Sequence, residues 1–211
     1  MEFKQNNLIR SLQIQPLIVV IRLEYNFFNI SKKRDNLFSK INLLSNYGIN
    51  NIEIGWDSNP EWVNLISEIK ANFQNINLGS ASINSIQALD SILSLNLNYS
   101  MSPFFNKGIH LKAIKYNQLL IPGVSNIKSF REAINLGYKI IKIFPASKLG
   151  INFLNELKNL KNKDIFFIGA GGIKSKDLKK LLKNGYNALA IGKELYNQLP
   201  DNDLKIWLNN I

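Results

Sequence analysis

Short, continuous apolar runs alternate along this chain with longer segments whose apolar residues recur every three or four positions. The first run, Leu17-Ile18-Val19-Val20-Ile21, is opened by Pro16 and closed by Arg22. Runs apolar on both faces suit parallel strands covered by helices, not half-exposed antiparallel ones. Leu37, Ile41 and Leu44 then repeat at helical spacing until Gly48 ends the pattern. The unit recurs, with strands predicted over 51–56, 76–81, 98–103, 118–123, 138–146, 164–172 and 187–192. Helices between them carry Val63, Ile66, Ile69 and Phe73, then Ile86, Leu89, Ile92 and Leu93. A weaker helix is predicted over 111–116, and further ones around Ile127, Phe130 and Ile134 and over 152–160. Leu178, Leu181 and Leu182 mark the next helix, and Leu204, Trp207 and Leu208 the last. A short helix over 4–13, with Leu8, Ile9 and Leu12 on one side, precedes the first strand.

Eight strand–helix units in 211 residues predict an α/β fold, a single compact (β/α)8 TIM barrel with a short N-terminal helix. A doubly wound open sheet is the rival, but it would carry a glycine-rich dinucleotide turn after its first strand, and none follows Ile21. With no linker or shift of composition, residues 1–211 read as one domain. The 45% hydrophobic content is enough for a substantial core. There is no apolar run of about 18 residues to cross a membrane, and the N-terminus lacks the apolar core of a signal peptide, so a cytoplasmic protein is expected. Absence of cysteine removes disulfides and thiolate chemistry. The net charge of +11 attracts anions, but the lysines are spread over many segments, the densest being 31–34 and 174–183. These read as solvated helix faces, with no specific nucleic-acid site. A small anionic substrate would benefit from the same field.

Barrel active sites lie at the C-terminal ends of the strands. Those ends carry Arg22, Glu53, Ser82, Ser102-Pro103, Pro122-Gly123, Lys142, Gly171-Gly172 and Gly192-Lys193. In Ile140-Ile141-Lys142-Ile143-Phe144, alternation puts Lys142 on one face with Ile140 and Phe144. A buried lysine loses part of its charge and can attack a carbonyl carbon; a solvated strand-end lysine, the other reading, does neither. Glu53, between Ile52 and Ile54, reads either as a structural partner for such a lysine or as a general base of raised pKa. Gly169-Ala170-Gly171-Gly172 and Ile191-Gly192-Lys193 suit a phosphate cup, where glycine lets the backbone approach an anion and Lys193 adds charge. His110, the single histidine, lies on the weak helix and reads as a surface residue.

These motifs resemble those of the 2-keto-3-deoxy-6-phosphogluconate and 4-hydroxy-2-oxoglutarate aldolases, class I enzymes on a (β/α)8 barrel. Lys142-Ile143-Phe144-Pro145-Ala146 is similar to the family's Lys-x-Phe-Pro-Ala segment with its Schiff-base lysine. Ile52-Glu53-Ile54 resembles the segment of the catalytic glutamate, and Gly79-Ser80-Ala81-Ser82 stands where the family has Gly-Ala-Gly-Thr. The resemblance implies that Lys142 forms an imine with a 2-keto acid, a small and phosphorylated substrate, while Glu53 moves protons. It implies that Ser82 and Arg22 hold the carboxylate, and that Phe144 and Pro103 enclose the imine. Gly171, Gly172, Gly192 and Lys193 fall at its phosphate loops. No cofactor or metal and a homotrimer are implied as well. Asp57, Ala170 and Lys193 depart from the family pattern around the substrate. A non-covalent phosphosugar isomerase or epimerase, and a retired barrel that only binds a phosphometabolite, are the alternatives.

Overall fold

The computed structural model describes residues 1–23, 30–160 and 164–196. Among them are nine parallel strands: β1 (Leu17–Ile21), β2 (Asn51–Gly55), β3 (Asn77–Ala81), β4 (Tyr99–Met101), β5 (Leu120–Ile121), β6 (Gly123–Val124), β7 (Ile140–Ile143), β8 (Phe166–Ala170) and β9 (Ala188–Ile191). Their order is β5-β4-β3-β2-β1-β9-β8-β7-β6. The expected barrel is present and nearly closed, with one correction: the strand predicted over 118–123 is divided at Pro122. Proline has no N–H to give to a ladder, so the segment changes partner there. Its first half bonds to β4 (Ser102 N–H to Ile121 O, 3.0 Å), and its second half to β7 (Lys142 N–H to Pro122 O, 3.0 Å).

The helices are α1 (Glu2–Ile14), α2 (Ile30–Asn46), α3 (Trp62–Asn72), α4 (Ile86–Leu95), α5 (Lys107–Lys115), α6 (Ile127–Asn135), α7 (Ala146–Leu160), α8 (Leu178–Lys183) and α9 (Lys193–Tyr196). Several start on side-chain caps: Ser85, Asn106 and Asn126 accept from the N–H groups of Ala88, Ile109 and Ser129. The Asn106 cap starts α5 four residues before the predicted helix. The last predicted helix, with Leu204, Trp207 and Leu208, lies outside the described residues.

Register partners on parallel strands project to the same side of the sheet. Val20, Glu53, Gly79 and Tyr99 form one such row. Gly123, Lys142, Ile168 and Ala188 form another. Both rows face the barrel interior, while Val19, Ile52, Ile54, Ile141 and Ile143 face the helices within one continuous apolar core. α1 lies across the N-terminal end of the barrel. Gln5 joins it to β7, accepting from Lys139 N–H at 2.8 Å, and Ser11 joins it to β2, donating to Asn51 at 2.8 Å. An amide ladder, Asn98 to Asn77 to Asn51, each step 2.9 Å, runs below β2–β4. With that end plugged, the interior opens at the C-terminal ends of the strands. No helix among the described residues is long and apolar enough to cross a membrane.

Candidate active site

A cavity of about 110 Å³ occupies that open end. Glu53, Lys142, Arg22, Ser82, Pro103, Phe144, Gly171, Gly172 and Gly192 all line it, so the structure brings together residues from seven strand ends. Lys193 is not among the lining residues; it is exposed at the first position of α9.

Lys142 and Glu53 are the two buried ionisable side chains among the residues that line this cavity. Going round the barrel, β2 and β7 are four strand positions apart in either direction, through β3, β4 and the β5–β6 segment or through β1, β9 and β8. The two side chains therefore face each other across the interior, at 6% and 1% exposure. Burial pushes the Lys142 amine down to about 8, against the attraction of Glu53, with Arg22 adding to the fall. Burial pushes the Glu53 carboxyl up to about 7, against the opposing fields of Lys142 and Arg22. Desolvation thus leaves a fraction of amine uncharged near neutral pH beside a carboxyl that titrates there. Lys142 Nζ stands 5.4 Å from the Phe144 ring centroid, within reach of a cation–π contact. Lys139, three residues earlier, is the solvated kind: it is exposed and pairs with Glu2 at 2.6 Å.

Arg22 closes one side, its Nη1 donating to Ser82 Oγ at 3.0 Å. Ser82 has φ +68°, a left-handed conformation costly for a serine, and it aims the hydroxyl at the cavity mouth. Asp57 is not among the lining residues. Its carboxylate accepts from the N–H of Asn59 at 2.8 Å, which makes it a turn former. On the opposite side, Gly171 and Gly172 have φ +89° and +71°. A Cβ on Gly171 would stand 2.7 Å from the Phe144 ring, and one on Gly172 2.2 Å from Ser147 Oγ, so both positions require glycine.

Sequence reasoning missed the small residues Ala81 and Ala190, which with Ala170 line the cavity from three strand ends and leave its volume open. Their signal was size shared across strands: Ala81 is the register partner of Gly55, and Ala190 that of Ala170. His110 is corrected outright. It is fully buried, stacked on Phe105 with centroids 4.8 Å apart and edge-on to Tyr138. Its Nδ1 donates to Asn106 O at 2.8 Å, leaving Nε2 to face Ser102 Oγ at 3.3 Å. Burial pushes the imidazole down to about 4, so it is neutral. Ser102 in turn accepts from Gly123 N–H at 3.2 Å, so the pair braces the wall that carries Pro103. The lysines of 174–183 are exposed, as expected of a solvated face.

A buried amine facing a carboxylate at the open end of an α/β barrel is the equipment of a carbonyl-attacking lyase of the aldolase class. The family model described as KDPG and KHG aldolase matches residues 9–205, and the chain belongs to that family. It is 22% identical over 182 residues to the 2-dehydro-3-deoxy-6-phosphogalactonate aldolase of Escherichia coli, a match covering 86% of this chain and 84% of the relative. The fold is similar to that of the Zymomonas mobilis 2-keto-3-deoxy-6-phosphogluconate aldolase, with TM-score 0.76, 20% identity and 94% and 92% of the two chains covered. It is also similar to the Legionella pneumophila KDPG aldolase, whose structure holds pyruvate as a covalent carbinolamine (TM-score 0.75, 18% identity, 94% and 91% covered).

Proposed function

We propose that this chain is a class I aldolase that cleaves a 2-keto-3-deoxy sugar acid, phosphorylated at its far end, or 4-hydroxy-2-oxoglutarate, to pyruvate and an aldehyde. The observation that carries the reading is Lys142, buried with a depressed pKa and facing Glu53 across the cavity. The covalent carbinolamine in the Legionella pneumophila relative supports it.

Neutral Lys142 attacks the C2 carbonyl carbon and gives a carbinolamine, whose hydroxyl takes the proton of the Glu53 carboxyl and leaves as water, giving an iminium ion and ionised Glu53. Ionised Glu53, directly or through one water, takes the proton of the C4 hydroxyl. The C3–C4 bond breaks, its electron pair flows to the iminium nitrogen, and the aldehyde leaves. Protonated Glu53 then returns the proton to C3 of the enamine, and water hydrolyses the pyruvate imine to free Lys142. Arg22 and Ser82 hold the substrate carboxylate, and Phe144 and Pro103 exclude water from the imine. Gly171, Gly172 and Gly192 form a backbone surface for the phosphate, and Lys193 extends the positive field beside it. A homotrimer is the assembly that family membership supports, and light scattering tests it.

Incubation with pyruvate and borohydride tests the chemistry. A stable adduct on Lys142, lost in Lys142→Ala, is expected. A folded protein that forms no adduct sinks the Schiff-base mechanism and leaves a non-covalent barrel.

A further inference from the structure

Two buried polar atoms near the centre of the barrel have no hydrogen-bond partner among the described residues, Glu53 Oε1 and the Tyr99 hydroxyl. Buried groups of this kind are costly and are rarely left without a partner. Glu53 on β2, Gly79 on β3 and Tyr99 on β4 are consecutive register partners, all facing inward. A Cβ at Gly79 would stand 2.5 Å from Tyr99 Cζ and 2.7 and 2.9 Å from the two Cε atoms. The far end of the phenol therefore lies over the middle strand, and any side chain at position 79 would take its place. Gly79 is the gap through which a residue of β4 reaches toward one of β2. Tyr138 and Tyr186 also bury unpartnered hydroxyls, but each lies just before its strand and shares no register row with a carboxylate.

Resting on the aldolase reading for its role, we propose that Tyr99 is a positioning residue for Glu53: reaching across Gly79, its phenol donates a hydrogen bond through one buried water to the carboxylate and fixes it toward the reacting carbon. The charged groups that face Glu53 are Lys142 from β7 and Arg22 from the end of β1, and both favour its ionised form. Tyr99 is the neutral donor among these neighbours. Burial, and then the charge of Glu53, hold its hydroxyl well above the ordinary phenol value, so it keeps its proton wherever Glu53 titrates.

Tyr99→Phe keeps the ring over Gly79 and removes only the donor. The variant is expected to melt near the wild-type temperature and still to trap pyruvate on Lys142. Its kcat for cleavage of a phosphorylated 2-keto-3-deoxy acid should fall about tenfold with KM unchanged, and the acid limb of the kcat profile should move up by roughly one pH unit. Wild-type kcat and an unmoved acid limb would overturn the proposal. Carbon-13 NMR of labelled glutamate carboxyls reads the same contact without turnover. The Glu53 midpoint should rise in Tyr99→Phe, and an unchanged midpoint overturns the proposal too. Failure of the wild type to trap pyruvate instead removes the aldolase reading, and the NMR titration still decides whether Tyr99 holds Glu53.

Discussion

Glu53 and Lys142 face each other across the barrel from β2 and β7, and each shifts the other's proton affinity against the larger effect of burial. An isolated buried amine would be neutral but would have no base beside it. An isolated buried carboxyl would stay protonated. Together they hold the amine at about 8 and the carboxyl at about 7, so both useful protonation states are populated in one narrow range.

The rate of imine formation should follow the free amine. With Lys142 pushed down to about 8, the rate of borohydride-trapped adduct formation from pyruvate should rise with pH and level off above that value. An ordinary solvated lysine, titrating at 10.5, would keep the rate rising far beyond it. A rate still climbing at pH 10 would show that Lys142 is not desolvated in the working enzyme.

Under the proposed mechanism Glu53 is the base, and removing it should separate binding from proton transfer. Glu53→Gln is expected to lower kcat for retro-aldol cleavage by about 10²–10⁴-fold, the usual range for loss of a general acid–base group. Pyruvate should still be trapped on Lys142. Because Glu53 raises the Lys142 pKa, the plateau of imine formation should shift below about 8 in this variant. A plateau moving upward would contradict the facing arrangement.

How much of this was legible in the chain depends on how far apart the deciding residues lie. Lys142 was readable because its face is set by its immediate neighbours: Ile141 and Ile143 turn outward, which forces it inward. The same alternation served Glu53 between Ile52 and Ile54. Pro122 was visible, but the change of partner it causes requires knowing that β4 and β7 flank it. His110 was misread because its burial is made by Phe105 and by Tyr138, the latter 28 residues away, and because the Asn106 cap went unnoticed. Tyr99 carried no signal at all until strand order placed Gly79 between it and Glu53.

The pH dependence of stability should be split by sign. The carboxyl of Glu53 is raised from 4.5 to about 7, so its contribution is present below 4.5 and is lost as pH rises toward 7. His110 is depressed from 6.5 to about 4, so its contribution is present above 6.5 and is lost as pH falls toward 4. Over most of this range the two slopes are opposite in sign and similar in size, so wild-type urea unfolding midpoints should change little through these two groups. His110→Gln should expose a midpoint that falls as pH rises toward 7, and Glu53→Gln one that falls as pH drops toward 4. If His110→Gln followed the wild-type slope across this range, the buried neutral imidazole would not be a determinant of acid stability.

Gly123 ties the barrel's closure to the site. A Cβ there would stand 2.4 Å from Pro103 O and 2.6 Å from Ser102 O, backbone atoms that no side-chain rotation can move. Gly123 is also the register partner of Lys142, and its N–H donates to Ser102. Gly123→Ala should therefore push β6 from the end of β4, cost roughly 1–3 kcal/mol in urea unfolding, and slow imine formation although no reacting group is removed. Gly192→Ala is the control for stability: its nearest atom would be Val20 O at 3.7 Å, an ordinary contact, so a change within about 0.5 kcal/mol is expected. Equal unfolding midpoints for the two variants would mean that β6 can move away from β4 without cost, and that Lys142 is not held in place through Gly123.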